Sequence, residues 1–244
     1  MDVDARTEAL AAYAAETAGC VRCLLAETRT QVVFGSGNPN AELMIVGEAP
    51  GYHEDQGGLP FAGQAGELLE RLLAGIGLGR DEVYLANVLK CRPPQNRDPL
   101  EAEIAACEPH LFRQIELVRP RVVATLGNFA TKLLSGRSFG ITRVHGQEHE
   151  VTLSSTTVVL YPVYHPAAAL YTPSMLKALE DDFARLPALL GRPEGSPAVV
   201  PLPVPGKGAM PESRVPERGV PESRAPERDE VPVAAGATVQ LGLF

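Results

Sequence analysis

The chain has 244 residues, 45% hydrophobic and 21% charged, enough to bury the core of one or two domains, which excludes fibrous and fully disordered classes. Its formal net charge of −8 offers no general attraction to nucleic acid, so positive charge that serves DNA must be local. No window approaches the ~20 apolar residues of a membrane span, and the opening MDVDARTEAL is acidic rather than a basic leader, so no membrane partner is expected and the cytoplasm is the expected compartment.

In chain order, a helix is predicted over Asp4–Ala18. Cys20-Val21-Arg22-Cys23 follows, and with Cys91 and Cys107 it accounts for all four cysteines. Without a secretory start, such a set speaks for a metal rather than disulfides. The tight pair is half a ligand site, and four thiolates suit zinc or a four-iron cluster equally in number.

Short apolar runs then alternate with amphipathic stretches, the pattern of a parallel sheet covered by helices, and the fold class is α/β. Strands are predicted at Leu43–Gly47, Val83–Leu89, Val122–Leu126 and Val158–Val163. Helices are predicted at Gly66–Gly77, Leu100–Val118, Asn128–Ser135 and Ser174–Leu190. Pro99 suits a first helical turn, with Asp98 as the cap of the Leu100–Val118 helix. Ligands of such sheets bind beyond the carboxyl ends of the strands, and the loops there are unusual.

The first strand runs into Gly47-Glu48-Ala49-Pro50-Gly51 and, further on, Pro60-Phe61-Ala62-Gly63-Gln64-Ala65-Gly66. Glycines flanking a proline turn the backbone sharply and let it approach a ligand. An aromatic such as Phe61 in that setting is either a hydrophobic plug or a stacking platform for a flat ring. The second strand leads into Asn87 through Arg97, where Lys90, Arg92 and Arg97 form the densest basic cluster of an acidic chain. An amide at the pocket end of a buried strand needs a hydrogen-bond partner, and the paired donor and acceptor of Asn87 match a nucleobase edge. The last strand leads into His165-Pro166, where proline holds the preceding residue extended, so His165 is a fixed group at a strand end.

Taken in order, the Gly47–Gly51 turn, the Pro60–Gly66 run, Asn87 through Arg97, His165-Pro166-Ala167 and the four cysteines resemble the motifs of the family 4 (thermophile-type, iron–sulfur) uracil-DNA glycosylases. The resemblance covers roughly residues 15–190. It implies a monofunctional, monomeric base-excision enzyme built as a three-layer sandwich, with a central four-stranded parallel sheet flanked by helices. It also implies one structural [4Fe–4S] cluster held by Cys20, Cys23, Cys91 and Cys107. Gly47, Glu48, Ala49, Phe61, Asn87 and His165 would form the uracil pocket. Glu48 would position water or, alternatively, crowd the base to exclude thymine, and His165 would stabilise the leaving base. Lys90, Arg92, Arg97 and Leu170 would touch DNA, Leu170 as the wedge. Gln64 and Tyr171 depart from the pattern, each standing where a basic residue is usual. Two other readings are a glycosylase of broader base scope and a metal-stapled DNA-binding module without turnover.

Ten of the 22 prolines lie beyond residue 192, where two near-identical units, PESRVPERGV and PESRAPERDE, stand in tandem. Residues 191–239 therefore read as a Pro-rich solvated linker after a domain over 1–190. The chain ends in Gln240-Leu241-Gly242-Leu243-Phe244, which resembles the short peptide by which bacterial repair proteins dock on the sliding clamp, with Gln240, Leu241, Leu243 and Phe244 as the contacts.

Overall fold

The computed structural model describes residues 3–191; the expected linker and clamp peptide, Gly191 apart, lie outside them. The elements are α1 (Val3–Ala18), β1 (Ser36–Gly37), β2 (Leu43–Gly47), α2 (Tyr52–Gly57), α3 (Gln64–Gly75), β3 (Tyr84–Asn87), α4 (Glu101–Val118), β4 (Val122–Leu126) and α5 (Gly127–Ser135). They continue with α6 (Ile141–Val144), β5 (His149–Leu153), β6 (Thr156–Val163), α7 (Pro166–Ala169), α8 (Pro173–Phe183) and α9 (Leu186–Leu190).

The sheet runs in the order β1-β3-β2-β4-β6-β5. Its four inner strands are parallel, as expected, with Ile45 opposite Leu85 on one side and Ala124 on the other, and Ala124 in turn opposite Tyr161. The expectation of four strands is corrected to six, because β1 and β5 add antiparallel edges. β1 has only two residues, and β5 carries His149, Glu150 and Thr152 in an edge-strand alternation that reads as loop.

The inner strands are largely apolar because both faces are covered, with Asn87 and Thr125 as their buried polar members. Successive residues point to opposite faces. Met44 and Val46 thus pack with Leu111 and Ile115 of α4 and Leu134 of α5, whereas Leu43 and Ile45 pack with Leu69 and Leu73 of α3 and Phe183 of α8. Two apolar layers on one sheet make the three-layer sandwich, each fully buried Leu or Val contributing ~1.5–3 kcal/mol. No helix among the described residues is long and apolar enough to cross a membrane.

Helix boundaries differ from expectation: α3 runs Gln64–Gly75, two residues earlier at each end than predicted. Asp98 does not cap α4; Leu100 occupies the cap position, and Glu103 reaches back to accept from its N–H at 2.9 Å. The helix predicted over Ser174–Leu190 breaks after Phe183, since Pro187 fits only the first turn of a new helix, α9.

Candidate active site

At the carboxyl ends of the inner strands lies an open cleft lined by Glu48, Ala49, Phe61, Asn87 and His165 among others. The sequence-predicted pocket residues therefore converge, Gly47 included. A Cβ on Gly47 would stand 2.4 Å from Asn87 Oδ1 and 2.8 Å from Phe61 Cζ, so only glycine lets the amide and the ring meet over the end of β2. Asn87 is buried, and its backbone carbonyl accepts from Lys90 Nζ at 2.7 Å. Beyond it the chain stays pinned to the first turn, with Val88 N–H donating to Gly47 O and Leu89 N–H to Glu48 O, both at 2.9 Å.

His165 caps α7. Its Nδ1 accepts from the Ala167 N–H at 3.1 Å, so in the neutral ring the proton sits on Nε2. Burial pushes its pKa down to about 4, against the opposing charge of Glu54, which keeps the ring neutral at physiological pH. Gly127, at φ 83°, lies directly beneath it and leaves room for its Cβ. The His165 and Phe61 rings are 6.5 Å apart and tilted by 33°. Glu48 is half-buried; burial, with Asp98 adding negative charge, raises its pKa to about 7.

The basic cluster separates into three environments. Lys90 is 1% exposed, its ammonium donating to Asn87 O and to Gln114 Oε1 at 2.5 Å, so the expectation that it touches DNA is corrected: it is an interior group supporting the strand end. Arg92 donates to Asn96 Oδ1 at 2.7 Å and lies over the exposed Tyr52 ring, 5.2 Å from its centroid. Arg97 lines the cleft and holds Glu103 through two bonds, at 2.6 and 2.9 Å. Leu170 is partly buried against the apolar layer that contains Phe183, while Tyr171 is 82% exposed.

Sequence reasoning passed over Asn96, Glu54 and Arg80. Asn96 lines the cleft in a left-handed conformation at φ 55°, as does Gln95 at φ 57°, and the Pro93-Pro94 pair preceding them was the signal that this backbone turns abruptly. Glu54 and Arg80 act on the Phe61 loop across long sequence gaps, for which a sequence carries no periodic signal.

The four cysteines, all unpaired as thiols, line one small cavity with His110 and Arg29. Three of the sulfurs have polar hydrogen-bond partners: Lys90 N–H donates to Cys107 at 3.2 Å, Arg29 to Cys91 at 3.4 Å, and His110 Nε2 lies 3.3 Å from Cys20. No three His, Cys, Asp or Glu groups among the described residues are arranged to hold a single metal ion. Four thiols around one cavity, with N–H groups aimed at sulfur, fit a thiolate-bound cluster.

A parallel sheet whose strand ends gather an amide, an aromatic ring, a neutral imidazole and a carboxylate around one cleft has the form of an α/β enzyme with its site at the strand ends. The family model described as "Uracil DNA glycosylase superfamily" matches residues 34–186, and the chain belongs to that family. Within it the chain is similar to the type-4 uracil-DNA glycosylase of Sulfurisphaera tokodaii, 46% identical over 184 residues, covering 73% of this chain and 84% of the relative. It is similar also to the type-4 enzyme of Archaeoglobus fulgidus, 45% identical over 72% of this chain and 91% of the relative. A type-5 uracil-DNA glycosylase of Pyrobaculum aerophilum is 34% identical over 54% of this chain and 63% of the relative.

Proposed function

We infer that this chain excises uracil from DNA as a monofunctional type-4 uracil-DNA glycosylase, leaving an abasic site for base-excision repair. The observation that carries this is the meeting of Asn87, Phe61 and His165 around Gly47 at one cleft. A base within a duplex is unreachable, so the nucleotide is flipped out at a cost of a few kcal/mol. Phe61 stacks on the ring, and Asn87 pairs its amide with O4 and N3–H. Cytosine, with an amino group at that edge and no N3 proton, would leave a buried polar group unpaired, which is the basis of its rejection.

As the glycosidic bond breaks, charge develops on the uracil O2. The neutral His165, its proton on Nε2, supplies an N–H donor there without needing to lose one. Glu48, as carboxylate, orients the attacking water with backbone carbonyls of the turn and offsets the positive sugar. Arg92 and Arg97 meet the phosphates, and the Leu170-Tyr171 pair fills the vacated stack, the exposed Tyr171 ring adding to the wedge expected of Leu170.

Cys20, Cys23, Cys91 and Cys107 would hold a [4Fe–4S] cluster. Four cysteine ligands from three segments around one cavity, with nitrogen hydrogen-bond partners on three of the sulfurs, are what supports this reading. Bound, it ties the segment after α1, the 87–97 loop and α4 together. A cytoplasmic monomer that docks on the sliding clamp through residues 240–244 completes the proposal.

Release of free uracil from a single-uracil oligonucleotide, beside thymine and cytosine controls, tests the reading. Turnover on uracil alone, lost in Asn87→Ala, is expected together with about four irons per chain. No release from folded, metal-replete protein would leave the DNA-binding module as the better account.

A further inference from the structure

The backbone under the Phe61 ring is not relaxed. Phe61 takes φ 55°, in the left-handed region that bulky residues rarely adopt. Gly66 lies so close that a Cβ there would stand 1.8 Å from the Phe61 carbonyl oxygen. A strained conformation of this kind persists only where its surroundings over-determine it.

Four hydrogen bonds do so, from two sides. Arg80 donates Nη1–H to Phe61 O at 2.9 Å and Nη2–H to Pro60 O, and its guanidinium is itself oriented by Glu70 at 2.9 Å. From the other side, Glu54 Oε1 accepts from the Ala62 and Gly63 N–H groups at 3.0 and 3.2 Å. Two carbonyls are held by a cation and the next two amides by an anion. The peptide groups on both sides of Phe61 are thereby fixed, and with them the direction of its Cα–Cβ bond.

We propose that Arg80 is a positioning residue for uracil excision: with Glu54 as its counterpart, it clamps the Pro60–Gly63 backbone and so fixes the plane in which Phe61 receives the flipped base. The proposal rests on the stacking role given to Phe61 above. Arg80 acts only through that loop, so its loss displaces the ring and removes no group that meets the base.

The test measures kcat and KM for uracil release, and inhibition by free uracil, in Arg80→Ala, Arg80→Lys, Phe61→Ala and the Arg80→Ala/Phe61→Ala double variant. Melting and visible absorbance report on fold and cluster. A ring misplaced by about 1 Å predicts a kcat loss of about ten- to a hundred-fold in Arg80→Ala, with weaker inhibition by free uracil and a smaller loss in Arg80→Lys. Because Arg80 works through Phe61, the double variant should be no slower than Phe61→Ala alone. A double variant slower by the product of the single losses, or an Arg80→Ala variant with parental kinetics, overturns the clamp while leaving the stacking role standing. Parental kinetics and uracil inhibition in Phe61→Ala would instead sink the stacking role. Should Arg80→Ala fail to fold, Glu54 decides: Glu54→Gln keeps an acceptor for both amides without the charge, so it should recover most of the activity lost in Glu54→Ala. Equal losses in the two would overturn the proposal.

Discussion

Replacing Gly47 by alanine adds one methyl group where the two side chains proposed to contact the base meet. The new Cβ would stand 2.4 Å from Asn87 Oδ1 and 2.8 Å from Phe61 Cζ, against ordinary contacts of about 3.4 Å or more, a shortfall approaching 1 Å at the amide. Neither neighbour has free room, because Asn87 and Phe61 are both buried. Overpacking of this kind costs about 1–3 kcal/mol, a melting temperature lower by roughly 2–12 °C for a domain this size. The kinetic effect is larger, since a misplacement of about 1 Å in a positioning group costs about 100-fold. Gly57→Ala is the control, because a Cβ there meets no heavy atom within 4 Å. Uracil release under single-turnover conditions, with thermal melts of both variants, reads the two effects separately. A Gly47→Ala enzyme with parental kcat and uracil inhibition would show that the base does not lie over this junction.

Three further outcomes are expected, the first two from the same geometry and the third from the C-terminal sequence. Glu48 has a pKa raised to about 7 by burial and in its proposed role acts ionised, whereas His165, near 4, is already neutral, so kcat/KM should rise with pH through about 7 and then level. Glu48→Gln should lose activity and flatten that rise; uracil release unchanged from the parent would leave Glu48 the steric role. Lys90→Met strands Asn87 O and Gln114 Oε1, and should lower stability by about 2 kcal/mol while leaving the salt dependence of DNA binding unchanged, whereas Arg92→Ala should reduce that salt slope by about one; a slope lowered by Lys90→Met would restore it as a DNA contact. Deleting residues 240–244 should abolish binding to the sliding clamp and spare activity on free oligonucleotides; clamp binding that survives refutes that docking role.

Strands β2 and β4 lie on their predicted residues because their runs are short, buried and largely apolar and end at glycine or a turn, as fully covered parallel strands do; Thr125 is the polar member of β4, its hydroxyl bonded to Thr131 at 2.8 Å. The pocket residues were legible for a related reason: Glu48, Asn87 and His165 each stand at or just beyond a strand's end, where the fold puts ligands. What the sequence hid is tertiary. Lys90 looks like its cationic neighbours, and only the packing of Gln114 from α4 against the end of β3 makes it an interior group. Glu54 and Arg80 are ordinary surface residues by pattern, and their roles exist only once the Phe61 loop folds between them.

Lys90 joins two regions that would otherwise be described apart. Its backbone N–H donates to the Cys107 thiol, and its ammonium holds the carbonyl of Asn87, so the amide proposed to read the base is three residues of chain and two hydrogen bonds from the thiol cavity. Two of the thiols in that cavity, Cys20 and Cys23, come from the segment that precedes the residues matched by the family model, 34–186. A chain trimmed to the recognised family span would retain every side chain proposed to meet uracil and half of the thiols behind them. On the proposed four-thiol set, the smallest working piece begins before Cys20.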